Sequence, residues 1–291
     1  MKKTRIVPHL WFDKEAKEAA ENYVTLFPGS RIKSETEIPG TPSGNAGLTV
    51  FELDGTEIAA LSAGPVFKLN PSLSFFAYCG NEERINGLYE KLIEGGSVLM
   101  PLDKYPWSSK YAWVSDKFGL SWQLDIDGIN SAQKVVPALL FTNKKAELIK
   151  EAVSFYTSVF PESKIILESP YDASAGLPEG TLLFAQFALS GFIFNCMSST
   201  MDHGFDFNEA LSFMVYCDTQ EEIDYYWNKL TEGGLEQPCG WLKDKYGVSW
   251  QIVPSDMNAM MSTKEGVQRV MQEIYKMKKL DLEKIRKAYN G

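Results

Sequence analysis

Two glutamines in a repeated octapeptide are the side chains whose setting most clearly suggests chemistry. Residues 116–123 read Asp-Lys-Phe-Gly-Leu-Ser-Trp-Gln, and residues 244–251 repeat six of these eight positions 128 residues later, so that Gln123 corresponds to Gln251. A carboxamide both donates and accepts hydrogen bonds, which suits it to orient a small ligand or to tie neighbouring strands together. Both interpretations stay open from the sequence alone.

The other residue types that carry catalysis are scarce. The chain has two histidines, His9 and His203, and four cysteines that form no Cys-x-x-Cys pair. This scarcity argues against histidine acid–base catalysis in both copies of the repeat, and against a disulfide framework or a zinc site. We predict buried thiols in a reducing compartment, and therefore a cytoplasmic protein.

Charge and hydropathy argue against two broad classes of partner. The formal net charge is −9, from 29 basic and 38 acidic side chains, so a protein that binds the nucleic-acid backbone is not expected. No apolar run approaches the roughly 20 residues that span a bilayer. Residues 1–5 are basic, but Pro8, His9 and Asp13 interrupt the stretch that follows them, so neither a signal peptide nor a membrane partner is predicted.

The elements that must position these residues repeat in step with the octapeptide. The first predicted strand, residues 6–12, corresponds to residues 135–141, and every later strand and helix of the first half has a counterpart in the second. Each half reads as strand, helix, strands, and then strand, helix, strands again. We predict a duplication with halves at 1–130 and 131–256, each large enough to build its own core.

One insertion, two corresponding loops and a tail outside the duplication complete the chain. Residues 105–113 lie in an aromatic-rich insertion, which is either a lid over a pocket or a longer hairpin. Residues 39–47 and 173–180 are rich in glycine, proline and serine and are predicted to be flexible loops. Residues 257–291 carry apolar side chains at helical spacing, which indicates a helical tail packed on the body.

Capping signals give two further expectations. Asp13 precedes the first predicted helix and Asp281 precedes the last one. Because a carboxylate accepts hydrogen bonds from free N–H groups at a helix start, we predict that each aspartate caps its helix.

The sequence resembles the PhnB-like branch of the vicinal oxygen chelate superfamily, which includes glyoxalase I and bleomycin-resistance proteins. The resemblance is carried by residues 212–217, 226–230 and 239–251, and by Leu10-Trp11-Phe12 before a helix that ends at Pro28. It implies an α+β fold of βαβββ modules, two of which build one domain around a cupped eight-stranded sheet. The chain would then hold two tandem glyoxalase-like domains with mixed and antiparallel strands, each half supplying both modules of its own cup.

The resemblance also implies where a metal would lie. Metal-dependent relatives hold the ion with a residue on the first strand, one that opens the second module and one near the end of the last strand. These positions hold His9 or Ala138, Leu73 or Leu211, and Gln123 or Gln251. The resemblance therefore implies a metal-independent protein that binds a small molecule in a cup, with no cofactor.

Two alternatives remain beside that interpretation. One is a lyase, isomerase or dioxygenase-type enzyme that holds a divalent ion with His9 and Gln123. The other is a non-catalytic interaction scaffold. Members of the branch are often labelled 3-demethylubiquinone 3-methyltransferase-like, but nothing in the sequence resembles the glycine-rich fold that holds S-adenosylmethionine, so methyl transfer is not expected.

The predicted pocket residues are aromatic or polar side chains near the octapeptides and the first strand: His9, Trp11, Tyr111, Trp113, Gln123, Cys239, Trp241 and Gln251. Trp122 and Trp250 are expected in the core instead. The duplication predicts that the two halves pair within one chain as an intramolecular pseudo-dimer, and it leaves a homodimer open.

Overall fold

The protein folds into two eight-stranded mixed sheets with helices between them. The computed structural model describes residues 4–41 and 43–291, in which we number sixteen strands and seven α-helices. Residues 1–3, part of the basic start, and residue 42, part of the predicted loop 39–47, lie outside the described residues. The architecture is that of tandem α+β domains, as predicted.

Each module contains a strand, a helix and three further strands. The first comprises β1 (Arg5–Phe12), α1 (Ala16–Leu26), β2 (Arg31–Thr41), β3 (Gly44–Leu53) and β4 (Thr56–Ser62). The second comprises β5 (Leu73–Tyr78), α2 (Glu82–Ile93), β6 (Ser97–Tyr105), β7 (Ser108–Ser115) and β8 (Ser121–Asp125). The third comprises β9 (Val135–Thr142), α3 (Ile149–Val159), β10 (Lys164–Pro170), β11 (Leu182–Leu189) and β12 (Phe192–Ser199). The fourth comprises β13 (Leu211–Cys217), α4 (Gln220–Thr231), β14 (Leu235–Glu236), β15 (Trp241–Lys243) and β16 (Ser249–Pro254).

Short 3-10 turns and a helical tail complete the chain. The turns cover Asn143–Leu148, ahead of α3, and Ala173–Ala175. The tail comprises α5 (Met257–Met260), α6 (Lys264–Ile274) and α7 (Leu282–Asn290). No helix in the described ranges is long and apolar enough to span a membrane.

The strand order corrects the expectation that each half builds its own cup. One sheet runs β14-β15-β16-β13-β1-β4-β3-β2 and the other runs β10-β11-β12-β9-β5-β8-β7-β6. β1 pairs antiparallel with β13, and β5 pairs antiparallel with β9. The first and fourth modules therefore share one sheet, and the second and third share the other.

The packing of the helices gives the physical reason for this exchange. In each half, the first helix packs against the other module of the same half: Tyr23 of α1 contacts Trp122 of β8, and Tyr156 of α3 contacts Trp250 of β16. Both tryptophans are fully buried, as predicted. Because the two modules of a half face each other across this core, their first strands are left to pair with the other half.

The predicted details of turns and caps are partly confirmed. Asp281 caps α7, because its Oδ1 accepts a hydrogen bond from Lys284 N at 3.1 Å. Asp13 does not cap α1: the chain turns further before the helix begins, and Ala16 N donates instead to Ser62 Oγ at 3.0 Å.

The prediction of a loop at 39–47 is wrong for residues 39–41 and 44–47, which lie in β2 and β3. The hairpin of these strands continues beyond Gly47, where the pairing of β3 with β4 ends. Residues 173–180 form a 3-10 turn followed by irregular chain. Of the two interpretations of residues 105–113, the structure shows the longer hairpin, because these residues belong to the hairpin of β6 and β7.

Candidate functional site

The candidate sites are the two sheet faces that turn away from helices α1–α4. We call this face of the sheet built by the first and fourth modules the closed cup, and that of the other sheet the open cup. The predicted pocket residues divide between them. The closed cup holds His9, Trp11, Cys239, Trp241 and Gln251. The open cup holds Tyr111, Trp113 and Gln123.

This division overturns the alternative in which His9 and Gln123 hold a metal ion together. His9 lies on β1 in one sheet and Gln123 lies on β8 in the other. The exchange of modules between the halves separates the two side chains, although they belong to the same repeat. Since one ion cannot be shared between the two cups, this pair does not form a metal site.

The helical tail fills the closed cup. Its buried apolar side chains pack on this face as one cluster with side chains of β1, β3 and β4; they include Met257, Met260, Val267, Val270, Ile274 and Ile285. The backbone of the tail also joins the sheet, because Met277 O accepts from Cys239 N at 2.8 Å and Lys278 O accepts from Gly240 N at 2.7 Å. The predicted packing of the tail on the body is confirmed, and it occupies a candidate site.

His9 is buried beneath the tail. It is 3% exposed, its ring lies edge-on to Trp241 at 5.4 Å, and its Nδ1 has no hydrogen-bond partner within the described ranges. Burial lowers the pKa of His9 to about 4, so the imidazole is neutral at neutral pH. A neutral imidazole can bind a metal, but the donor set around it does not fit one.

The neighbours of His9 explain that misfit. Gln251 donates to Ser212 Oγ at 3.0 Å, and burial raises the pKa of the Cys239 thiol, which disfavours the thiolate. Among the described residues, no three His, Cys, Asp or Glu side chains are grouped to hold an ion. The closed cup is therefore an apolar, tail-filled face with one neutral histidine.

The floor of the open cup is tied together by Gln123. This fully buried side chain donates to Ser74 Oγ at 2.8 Å and accepts from the Tyr111 hydroxyl at 2.5 Å. Gln251 makes the equivalent bond to Ser212 in the closed cup. In both cups the glutamine links the strand of the octapeptide to the first strand of its module, which is the strand-tying role left open by the sequence.

A second polar group of the open cup was not identified from the sequence. Gln186 Nε2 donates to Asn195 Oδ1 at 2.9 Å, and both amides donate to the Tyr78 hydroxyl, at 3.1 and 2.9 Å. Burial raises the pKa of Tyr78 to about 12, so the hydroxyl keeps its proton. Because its oxygen already accepts two hydrogen bonds, this proton is available to a ligand.

The aligned halves contain a signal for these residues. The hairpins at residues 51–58 and 187–194 correspond, so Gln186 takes the place of Val50 and Asn195 takes the place of Ala59. The structure pairs Val50 with Ala59 in the closed cup and Gln186 with Asn195 in the open cup. A polar pair replacing an apolar pair at matched positions marks the face on which the tail does not pack.

Aromatic side chains form the walls of the open cup. Phe76 contacts Phe184 at 6.3 Å, and Trp113, which is half-buried, donates to Ser121 Oγ at 2.6 Å. Trp107, at the turn between β6 and β7, is 54% exposed. Apolar walls with a few convergent polar groups are typical of small-molecule sites.

The aspartate of each octapeptide has a structural role. Asp116 Oδ2 accepts from the Tyr23 hydroxyl at 2.7 Å and from Trp122 Nε1 at 2.8 Å, while Oδ1 accepts from the backbone of the turn. Asp244 repeats these bonds with Tyr156 and Trp250 at the same distances. The octapeptide thus clamps the first helix of each half to the last strand of that half.

Two surface clefts lie elsewhere. One of about 730 Å³ lies between the start of α4 and α7, and one of about 510 Å³ lies beside residues 277–284. Charged residues make up at least half of the lining of each cleft, and neither is lined by a predicted pocket residue.

Comparisons with known proteins agree with this architecture. A family model described as 3-demethylubiquinone-9 3-methyltransferase matches residues 4–125 and again residues 133–253. A comparison with curated proteins gives no match. A PhnB protein from Bacillus cereus, described as a candidate 3-demethylubiquinone-9 3-methyltransferase, is 34% identical over 41% of this chain and 96% of its own, with a TM-score of 0.39.

Two longer structures match most of the chain. A glyoxalase I variant from Zea mays is 12% identical, with 89% of this chain and 97% of its own covered and a TM-score of 0.59. A Bacillus subtilis protein described as a candidate dioxygenase is 12% identical, with 91% and 92% covered and a TM-score of 0.53. At this identity the likeness shows the fold alone.

Proposed function

This chain belongs to the 3-demethylubiquinone-9 3-methyltransferase family, the PhnB-like branch of the vicinal oxygen chelate superfamily, and on that premise we propose that its open cup binds a small aromatic molecule without a metal. The observation that carries the proposal is the contrast between two matched faces. The closed cup is filled by the tail, whereas the open cup keeps hydrogen-bonding groups between aromatic walls.

The polar groups of the open cup support a ligand that both stacks and accepts a hydrogen bond. Tyr78 presents a protonated hydroxyl that Gln186 and Asn195 hold in place. Phe76 and Phe184 supply ring surfaces beside it. A planar molecule with an oxygen or nitrogen acceptor at its edge would use both features.

Metal independence rests on the donors that the open cup offers. Among the described residues, the polar side chains that bond on its floor are amides, hydroxyls and one carboxylate, Asp125, with no imidazole or thiolate among them. Such a set binds transition metals weakly compared with sites of two or three histidines. The alternative of a metal-dependent lyase, isomerase or dioxygenase required His9 and Gln123 as metal ligands. It finds no support here, because His9 lies in the closed cup and Gln123 lies in the open cup.

Methyl transfer, which the family description names, finds less support. Binding of S-adenosylmethionine in the doubly wound folds uses a glycine-rich turn between a parallel strand and a helix. The described chain is built instead from four βαβββ modules. We therefore place the function in ligand binding.

The exposed edge strand β10 favours the scaffold alternative as a second candidate. Ile165, Ile166 and Leu167 are 44%, 43% and 50% exposed on this strand, which has a free edge. Sedimentation velocity of wild type and of Ile165→Lys/Leu167→Lys tests it: a wild-type dimer that the variant abolishes would support self-association through β10. A monomer at every concentration would contradict self-association there.

The ligand proposal is tested with matched tyrosine variants. Tyr78 of the open cup and Tyr216 of the closed cup occupy equivalent positions on β5 and β13. A panel of neutral, cationic and anionic aromatic compounds is screened by thermal shift and ligand-observed NMR. We expect saturable binding of some members, weakened about tenfold by Tyr78→Phe because one hydrogen bond is lost.

The control is Tyr216→Phe, which removes the same hydroxyl from the filled face. It should leave affinity unchanged. If no compound binds, or if both variants weaken binding equally, the open cup is not the ligand site.

A further inference from the structure

We propose that the open cup selects an organic cation, whose charged group lies against the carboxylate of Asp125 between Tyr78 and Tyr111. This inference rests on the proposed function and names its ligand class. It comes from a carboxylate that the fold places in an aromatic site and leaves half unpaired.

The strand register places Asp125 on the cup face. It is the last residue of β8 and lies opposite Tyr78 on β5 and opposite Tyr111 on β7. Gln123, two residues earlier on the same strand, bonds to side chains on the cup floor. Because residues two apart on a strand share a face, and paired residues project together, the carboxylate lies between the two tyrosine side chains.

The hydrogen bonds of Asp125 leave one oxygen unused. Its Oδ1 accepts from Ser108 Oγ at 2.8 Å and from Asp127 N at 3.0 Å, but no described residue donates to Oδ2. Nor does a described lysine, arginine or histidine form an ion pair with it; Lys110, on the adjacent strand, pairs with Glu82 at 3.1 Å. The residue is only 8% exposed.

A largely buried carboxylate without a cation is energetically unfavourable. Burial accordingly raises the pKa of Asp125, and a bound cation would reverse that effect. The geometry therefore matches a site that a positively charged ligand completes.

The aromatic side chains near Asp125 also favour a cation. Tyr105 and Trp107 stack at 5.2 Å, and both meet the ring of Tyr111 edge-on at 5.6 Å. Ser108, which bonds Asp125, follows directly in the same turn. Aromatic faces attract ammonium groups through their quadrupoles, most strongly where water is excluded.

The closed cup supplies an internal comparison. Val253 takes the place of Asp125, since it lies opposite Tyr216 as Asp125 lies opposite Tyr78. Val253 is buried with the apolar side chains of the tail. The charge is therefore present on the face that is open and absent on the face that is filled.

A matched trio of probes tests the inference on the full chain. Tryptamine, tryptophol and indole-3-acetate share one ring and end in an ammonium, a hydroxyl and a carboxylate. By calorimetry at pH 7.5 we expect tryptamine to bind at least about tenfold more tightly than tryptophol, and indole-3-acetate to bind least. Raising KCl from 50 to 300 mM should weaken tryptamine binding and leave tryptophol binding unchanged.

Two aspartate variants locate the charge. Asp125→Asn should bring the ratio of tryptamine affinity to tryptophol affinity close to one, while the affinity for tryptophol stays unchanged. Asp127→Asn, which removes an exposed carboxylate two residues away, should leave the preference near its wild-type value.

Equal affinity for tryptophol and tryptamine, or a preference that survives Asp125→Asn, would overturn the cation inference. If neutral compounds from the wider aromatic panel bind the open cup and tryptamine does not, the cation inference fails and the proposed function stands. If no aromatic compound of any charge binds, both fail. The salt series needs no variant, so it decides the matter even if Asp125→Asn does not fold.

Discussion

The closed and open cups have the same strand pairing and the same floor glutamine, yet they meet the rest of the chain differently. In the closed cup the tail covers Val50, Ala59 and Val253. In the open cup the matched positions hold Gln186, Asn195 and Asp125, which no described helix covers. The tail makes one face part of the core, while the other keeps the polar groups that we propose bind a ligand.

The hairpins beside each cup show how the difference arises. The open cup has the long hairpin of β6 and β7, whereas the closed cup has the short β14 and β15. The tail backbone hydrogen-bonds to Cys239 and Gly240, directly before β15. The tail thus lies where a short hairpin leaves the closed cup uncovered.

The largest effect should follow from moving the polar pair into the closed cup. In Val50→Gln/Ala59→Asn, two amides would be buried beneath the tail in a space packed for smaller side chains, and a bond between them would leave part of their hydrogen-bonding capacity unmet. We expect the free energy of unfolding to fall by about 5 kcal/mol. Urea denaturation followed by circular dichroism measures it, and a loss below about 1 kcal/mol would show that the tail does not seal this face.

The next largest effect concerns the buried aspartate that each octapeptide contributes to the core of its half. Asp116→Ala and Asp244→Ala each leave a buried tyrosine hydroxyl and indole N–H without their acceptor. Each should lower the free energy of unfolding by about 4 kcal/mol. Equal losses would show that the cores are equivalent although the cups are not; losses that differ by more than about 2 kcal/mol would contradict this.

Much of the fold follows from local signals in the sequence. The repeat, the helix faces and the hairpins at Asp54-Gly55 and Ser190-Gly191 depend on spacing and turn chemistry, and the structure confirms them. The exchange of modules between the sheets could not be predicted in the same way. β5 could pair with β9 or with β1, and both pairings leave the alternation of buried and exposed side chains along each strand unchanged. The sequence pattern of a strand therefore does not specify its distant partner.

Part of the candidate site could be predicted from the sequence. Tyr111, Trp113 and Gln123 were identified and do lie together, because they are near one another along two adjacent strands. Gln186 and Asn195 were missed because the third module joins the second only through the exchanged sheet. His9 was grouped with Gln123 for the same reason, since sequence proximity within a repeat does not specify which cup a strand enters.

A smaller effect concerns His9 and pH. Its native pKa is about 4 against an ordinary value of 6.5, so between these values the unfolded chain binds more protons than the native one. The contribution of His9 to the free energy of unfolding is therefore fully present above pH 6.5 and is lost as the pH falls toward 4. The total loss should be about 3 kcal/mol. Denaturation curves from pH 7 to pH 4 should show this slope in wild type, and it should flatten in His9→Gln.

Other acidic groups also titrate in that range, so the variant must be compared with wild type at each pH. In a His9→Gln background, Ala138→His places an imidazole at the matched position of the open cup, which is also buried but lies beside Ser74 and Asn195. It should show a shallower slope than His9. An equal slope would mean that the tail does not isolate His9.

The smallest effect on stability should follow from the reverse exchange, Gln186→Val/Asn195→Ala. These substitutions give the open cup the pair found in the closed one, and they replace both partners of the Gln186–Asn195 hydrogen bond by apolar side chains, so neither amide is left unpaired. The free energy of unfolding should change by less than about 1 kcal/mol. Ligand affinity should nevertheless fall about tenfold or more, because Tyr78 loses both donors that hold its hydroxyl. A variant that keeps full affinity would place ligand recognition elsewhere in the cup, whereas one that unfolds would show that the amide pair also holds β11 against β12.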